Sequence, residues 1–98
     1  MNSYTEEIIK SLRADKDFLA DKFGMVNIGI FGSYVSGNQN SESDIDILVE
    51  LKEPRFDWMA GLQLYLEKKF DKKIDLIRKS GKFKSRFIES IEKEVIYA

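Results

Sequence analysis

Two apolar runs of period two, separated by a polar break, constrain this chain more than any other feature. The first, VNIGIF, covers Val26 to Phe31 and stops at Gly32 and Ser33. The second, DIDILVEL, covers Asp44 to Leu51 and begins eleven residues after Ser33. Alternation of this kind predicts strands, because successive side chains of a strand point to opposite faces. In the first strand Val26, Ile28 and Ile30 share one face, and Asn27, Gly29 and Phe31 the other. In the second, Ile45, Ile47, Val49 and Leu51 share one face, and Asp44, Asp46, Leu48 and Glu50 the other. A strand needed for the core thus carries two carboxylates at its mouth.

The remaining pattern supplies what would cover such strands. Ser3 to Phe23 reads as one helix, with a capping box at Ser3 and Glu6, apolar residues at Ile8, Leu12, Leu19 and Phe23, and Gly24 as its C-cap. A short helical turn is expected from Ser33. Pro54 ends the second strand, and Asp57 is placed to cap a helix reaching about Lys69, with Met59, Leu62, Leu66 and Phe70 along one side. Lys73 to Ile77, "KIDLI", predicts a third strand, with Ile74 and Leu76 on one face and Asp75 on the other. Gly81 punctuates the chain. Phe83, Phe87, Ile88, Ile91 and Val95 predict a closing helix that tails into Ile96 and Tyr97. The order is α-β-(α)-β-α-β-α, an α+β arrangement of a small sheet and helices in two layers. At 98 residues, residues 1–98 form one domain.

Composition narrows the chemistry. The chain has no cysteine and no histidine. Disulfides, structural zinc, Cys nucleophiles and His-based triads are therefore excluded. A bound metal must rest on oxygen, so Mg²⁺, Mn²⁺ or Ca²⁺ are the candidates. Sixteen basic and seventeen acidic residues give a net charge of −1, which argues against a broad nucleic-acid surface. The Lys- and Arg-rich run from Lys68 to Arg86, which includes Lys82 and Lys84, reads as a solvated face. Glu6 and Glu7 interrupt the amino terminus, no signal peptide is expected, and no apolar stretch suits a membrane span. A cytoplasmic location is the expectation. Trp58, Tyr65 and Met59 read as packing residues.

Asp44 and Asp46 lie two apart on one strand face, their Cα atoms about 6.5–7 Å apart. Two ionised carboxylates so close repel unless a cation lies between them. Asp75 joins them if the third strand pairs beside the second. Two Mg²⁺ ions on such a set, about 3.5–4 Å apart, would clamp the attacking and leaving oxygens of a phosphoryl transfer. Gly32 permits close backbone approach to a phosphate, and Ser33 adds a hydroxyl donor. For the two halves to meet, the first two strands must pair antiparallel.

The stretch GSYVSGNQNSESDID, read as G-S, a second Gly four residues after the Ser, and then S-D-x-D, resembles the signature of the polymerase-β-like nucleotidyltransferases. It is most similar to their minimal nucleotidyltransferase (MNT) branch. The leading helix, IGIFGS, DIDILVEL, the next helix, KKIDLI and the closing helix follow the same order, so the resemblance covers nearly the whole chain. The resemblance implies that Gly32 and Ser33 bind the phosphates of a nucleotide. It makes Asp44 and Asp46 ligands of two Mg²⁺ or Mn²⁺ ions, and Asp75 a third carboxylate that binds the catalytic metal and helps deprotonate an acceptor hydroxyl. It implies transfer of a nucleoside monophosphate from an NTP, with ATP as substrate, and pyrophosphate as product. It also implies a HEPN-domain toxin as partner, with this chain as the antitoxin that adenylylates a tyrosine of the toxin or neutralises it by binding. Many members carry Arg just before the second Gly, where this chain has Ser36.

Overall fold

The computed structural model describes residues 3–40, 43–79 and 85–98. In chain order the elements are α1 (Ser3–Ala14), α2 (Lys16–Phe23), β1 (Met25–Phe31), α3 (Ser33–Ser36), β2 (Ile45–Leu51), α4 (Phe56–Phe70), β3 (Ile74–Arg78), α5 (Arg86–Glu92) and β4 (Ile96–Tyr97). The strands form one mixed sheet in the order β3-β2-β1-β4. β1 runs antiparallel to β2 and to β4, and β3 runs parallel to β2.

Helices α1, α2 and α4 bury one face of this sheet. Ile8 and Leu12 of α1, Leu19 of α2, Leu62 and Leu66 of α4 and Ile28, Ile30, Ile45, Ile47 and Val49 of the strands form a single core. Trp58, Met59, Tyr65 and Phe70 pack against it, as their helical spacing predicts. On the opposite face α5 lays Ile88 and Ile91 over Phe31 and Leu48. The two-layer α+β expectation holds for the main core, and α5 adds a smaller cover on the second face.

Several local expectations change. The helix expected from Ser3 to Phe23 is divided at Asp15. The Asp15 carboxylate accepts the Tyr65 hydroxyl at 2.7 Å and pairs with Lys69 at 2.7 Å, so the break points a charge at α4 instead of into solvent. The hydrogen bonds from Lys69 and Tyr65 hold this carboxyl below its ordinary range. Ser3 lies within α1, whose described residues begin there. Gly24 does cap α2, with φ 62° and its N–H on the Ala20 and Leu19 carbonyls. The cap of α4 is Arg55, and Asp57 falls in its first turn, bound to Arg55 at 2.9 Å.

Val26 does not join the core. The register of β1 on β2 slips between Met25 and Asn27. This bulge turns Met25 inward at 3% exposure and leaves Val26 51% exposed. The tail at Ile96 and Tyr97 is a fourth strand, not a helix end. It fits against β1 because Gly29 has no side chain: a Cβ there would lie 2.8 Å from the Ile96 carbonyl oxygen. Ser41, Gly81, Lys82, Phe83 and Lys84 lie outside the described residues. No described helix is long and apolar enough to cross a membrane.

Candidate active site

Strand register assembles the site. Phe31 is the partner of Asp46 across β1 and β2, and Asp46 is the partner of Asp75 across β2 and β3. Residues opposite each other in a sheet share a face. Phe31, Asp46 and Asp75 therefore form one row on the face away from the main core. β1 ends there, and the chain turns through Gly32 into α3 directly beside Asp46.

Gly32 makes that turn possible. Its φ of 75° and ψ of −143° lie where residues with side chains seldom go. A Cβ at Gly32 would also collide with the Asp46 carboxylate. Its carbonyl accepts the N–H groups of Val35 and Ser36, each at 3.0 Å, and so starts α3. The Ser33 backbone N–H donates to Asp46. Two further contacts fasten α3 from the core side: the Thr5 hydroxyl donates to the Tyr34 carbonyl at 2.7 Å, and the rings of Tyr4 and Tyr34 meet at 5.6 Å.

Burial, the negative charges of Asp75 and Asp44, and a hydrogen bond with Asp75 push the Asp46 carboxyl up to about 6, against the lowering effect of the Ser33 N–H. Asp46 and Asp75 thus form a close carboxylate pair on adjacent strands, in which Asp46 holds its proton more tightly than an ordinary carboxyl does. A divalent cation satisfies the same pair with more charge, and oxygen donors of this kind suit Mg²⁺ or Mn²⁺.

Asp44 stands just outside β2, which begins at Ile45, where the Ile45 N–H joins the Lys73 carbonyl at 3.1 Å. Its carboxylate lies 4.0 Å from the ammonium of Lys73, whose side chain is 76% exposed. Among the described residues no three acidic side chains converge to cage a metal ion. Asp46 and Asp75 meet, and Asp44 reaches them only through its charge.

Two residues near this row escaped the sequence reading. Lys73 was visible only as one member of a basic run, and the parallel pairing of β3 is what sets it beside Asp44. Glu94 gave no signal at all, because it comes from the turn after α5, 62 residues beyond its contact at Gly32. Ser36 is exposed, and its hydroxyl donates to the Ser33 carbonyl at 3.4 Å. A groove lined by Glu6, Ile9, Lys10, Arg13 and Ile96 contains none of the carboxylates of the row.

A family model described as nucleotidyltransferase domain matches residues 12–98. The protein adenylyltransferase MntA of Thermococcus cleftensis is 41% identical over 93 residues, covering 94% of this chain and 93% of its own. A solved structure described as a candidate minimal nucleotidyltransferase superposes with a TM-score of 0.69 at 29% identity, over 90% of this chain and 93% of that one. A crystal structure of a toxin–antitoxin with AMP-PNP superposes with a TM-score of 0.65 at 25% identity, over 95% of this chain and 70% of that one. A sheet that sets a Gly-Ser turn against paired carboxylates, in a chain matched along most of its length, belongs to the minimal nucleotidyltransferase family.

Proposed function

We propose that this nucleotidyltransferase is a metal-dependent protein adenylyltransferase, which moves AMP from ATP to a tyrosine hydroxyl of a HEPN-domain toxin and so acts as its antitoxin. The observation that carries the reading is the row of Asp46 and Asp75 on adjacent parallel strands, with Asp46 held by the N–H of Ser33. The relative named protein adenylyltransferase and the AMP-PNP-bound toxin–antitoxin neighbour support the choice of nucleotide and acceptor class.

In this reading Asp46 and Asp75, which meet across β2 and β3, would hold Mg²⁺ or Mn²⁺ with Asp44 drawn in from the mouth of the row, and the metal would supply Lewis-acid stabilisation of the charge that develops on the phosphates. Ser33 presents its hydroxyl to the triphosphate. Lys73, just before β3 at the mouth of the row, adds an exposed positive charge beside Asp44. Asp75, exposed at the open side of the row, accepts the proton of the tyrosine hydroxyl. The tyrosine oxygen bonds to the α-phosphorus, the bond between that phosphorus and the bridging oxygen to the β-phosphate breaks, and pyrophosphate leaves with the electron pair. Catalysis of this type rests on position and electrostatics more than on covalent chemistry of the protein.

A second reading, an antitoxin that neutralises its partner by contact alone, draws on Ser36, which leaves the loop without the arginine of many relatives. Both readings meet in one experiment. The chain is mixed with its toxin, ATP and Mg²⁺, and the intact mass of the toxin is measured. An added AMP group that disappears with Asp75→Asn is the expected result. An unchanged toxin mass together with full neutralisation rejects the enzyme reading in favour of the contact one.

A further inference from the structure

The turn at Gly32 is held by three hydrogen-bonded restraints, and only two of them are local. Ser33 N–H joins Asp46, and the Gly32 carbonyl starts α3. The third comes from the far end of the chain: the Gly32 N–H donates to Glu94 Oε1 at 3.3 Å. We propose that Glu94 is a positioning residue, whose carboxylate accepts the Gly32 N–H and thereby fixes the turn that presents Ser33 to a nucleotide triphosphate. The inference rests on the nucleotide-binding reading above.

The segment carrying Glu94 is itself fixed on both sides. The N–H groups of Glu94 and Val95 both return to the Ile91 carbonyl at 3.0 Å, closing α5. Glu92 pairs with Lys79 at 2.9 Å. Beyond Glu94 the chain enters β4, where Tyr97 pairs with Gly29 and the Ala98 N–H reaches the Ile28 carbonyl at 2.9 Å. A carboxylate held between two such anchors can restrain a glycine, the residue that otherwise has the most backbone freedom to lose.

This contact revises the part expected of Gly32. In this proposal its N–H is held by the Glu94 carboxylate and leaves the phosphate contact to Ser33. Gly32 provides the shape of the turn, and Ser33 provides the donor. The sign of the effect separates this role from its rival. Were Glu94 merely an anion competing for the turn, its removal would relieve repulsion and tighten triphosphate binding. As a positioning residue, its removal loosens the turn and weakens binding.

The full chain is tested as Glu94→Ala and Glu94→Gln, with Mg²⁺-ATP titrated by calorimetry. The alanine variant is expected to bind roughly three- to tenfold more weakly, the scale of one net hydrogen bond, with a KM raised more than kcat is lowered. Glutamine keeps an acceptor oxygen and is expected to restore wild-type affinity. In the nucleotide-free protein the Gly32 amide resonance is expected to shift in the alanine variant and to stay near its wild-type position in the glutamine variant. That resonance reads the contact even if ATP proves not to be the ligand. Unchanged or tighter ATP binding by Glu94→Ala overturns the proposal. If alanine prevents folding, Glu94→Gln decides: weakened binding with an unmoved Gly32 resonance overturns it, because charge and not hydrogen-bond acceptance would then be at work.

Discussion

The two sides of β2 differ as two materials would. On one side Ile45, Ile47 and Val49 are fully buried in the main core. On the other, Asp46 opens toward the site, Leu48 is sealed under α5, and Glu50 is half-buried. The strand therefore spends one face on stability and divides the other between chemistry and a small lid. Apolar burial is non-directional and tolerates exchange of like for like. A carboxylate pair is directional, and depends on register to within a single residue. Substitutions on the two faces should separate these functions.

The largest effect is expected from Asp46→Asn set against Ile47→Ala. Asp46→Asn removes one charge from the pair and should lower adenylyl transfer by at least about 10²-fold, the scale on which loss of one preorganised electrostatic group registers. Its melting temperature should hold or rise, since the repulsion among Asp44, Asp46 and Asp75 is relieved. Ile47→Ala should do the reverse, losing about 2–5 kcal/mol of stability, a large share of the roughly 5–15 kcal/mol of a small domain, with transfer intact at temperatures where the chain stays folded. Differential scanning calorimetry beside a transfer assay reads both. An Asp46→Asn protein that transfers normally would remove that carboxylate from the mechanism.

Asp75→Asn sharpens the contrast within the acidic face. Asp75 is exposed and Asp46 is partly buried. If Asp75 takes the acceptor proton, its asparagine variant should lose transfer while keeping much of its affinity for Mg²⁺-ATP, whereas Asp46→Asn should lose both. Equal loss of binding in the two variants would make Asp75 a ligand only.

The core face was legible in the sequence for the same reason that it is stable. Ile45, Ile47 and Val49 alternate without interruption, and burial needs only that pattern. The row of Asp46 and Asp75 was legible because both carboxylates break an alternation whose other face is aliphatic. What stayed hidden depends on pairings that no local pattern encodes. Val26 fits the alternation and still faces solvent, since a bulge beside it shifts the register. β4 is a two-residue strand, too short to show a period, and it forms because Gly29 leaves room for it. Asp15 divides the first helix through partners 50 and 54 residues away, Tyr65 and Lys69. The Glu94 contact spans 62 residues.

Lys73 offers a smaller effect on the same edge. Its pairing with Asp44 is long at 4.0 Å and well exposed, so it contributes at most about 1 kcal/mol to folding. Lys73→Gln should leave the melting temperature within a few degrees while raising the KM for ATP several-fold, and Lys73→Arg should restore most of it. A Ser36→Arg change in the Lys73→Gln background should also restore affinity if both cations serve the same triphosphate. Steady-state kinetics at fixed ionic strength reads this, and an unaltered KM in Lys73→Gln would assign that charge to the partner protein.

The smallest effect lies in the dependence of stability on pH without metal. The Asp46 carboxyl titrates near 6 in the folded chain, against an ordinary 3.8. The folded state therefore holds this proton more tightly than the unfolded state does. Stability from this group is fully present below the ordinary value, and it is lost as pH rises through about 6. Asp46→Asn cannot titrate and should lack this component. Because other carboxylates titrate in the same window, the informative quantity is the difference in melting temperature between the variant and the wild type in the presence of EDTA. That difference should grow in favour of the variant from pH 4 to pH 7, and saturating Mg²⁺-ATP should reverse it, because only the wild type then gains a bound cation. A difference that stays flat with pH would mean that burial and its acidic neighbours do not hold the Asp46 carboxyl above its ordinary range.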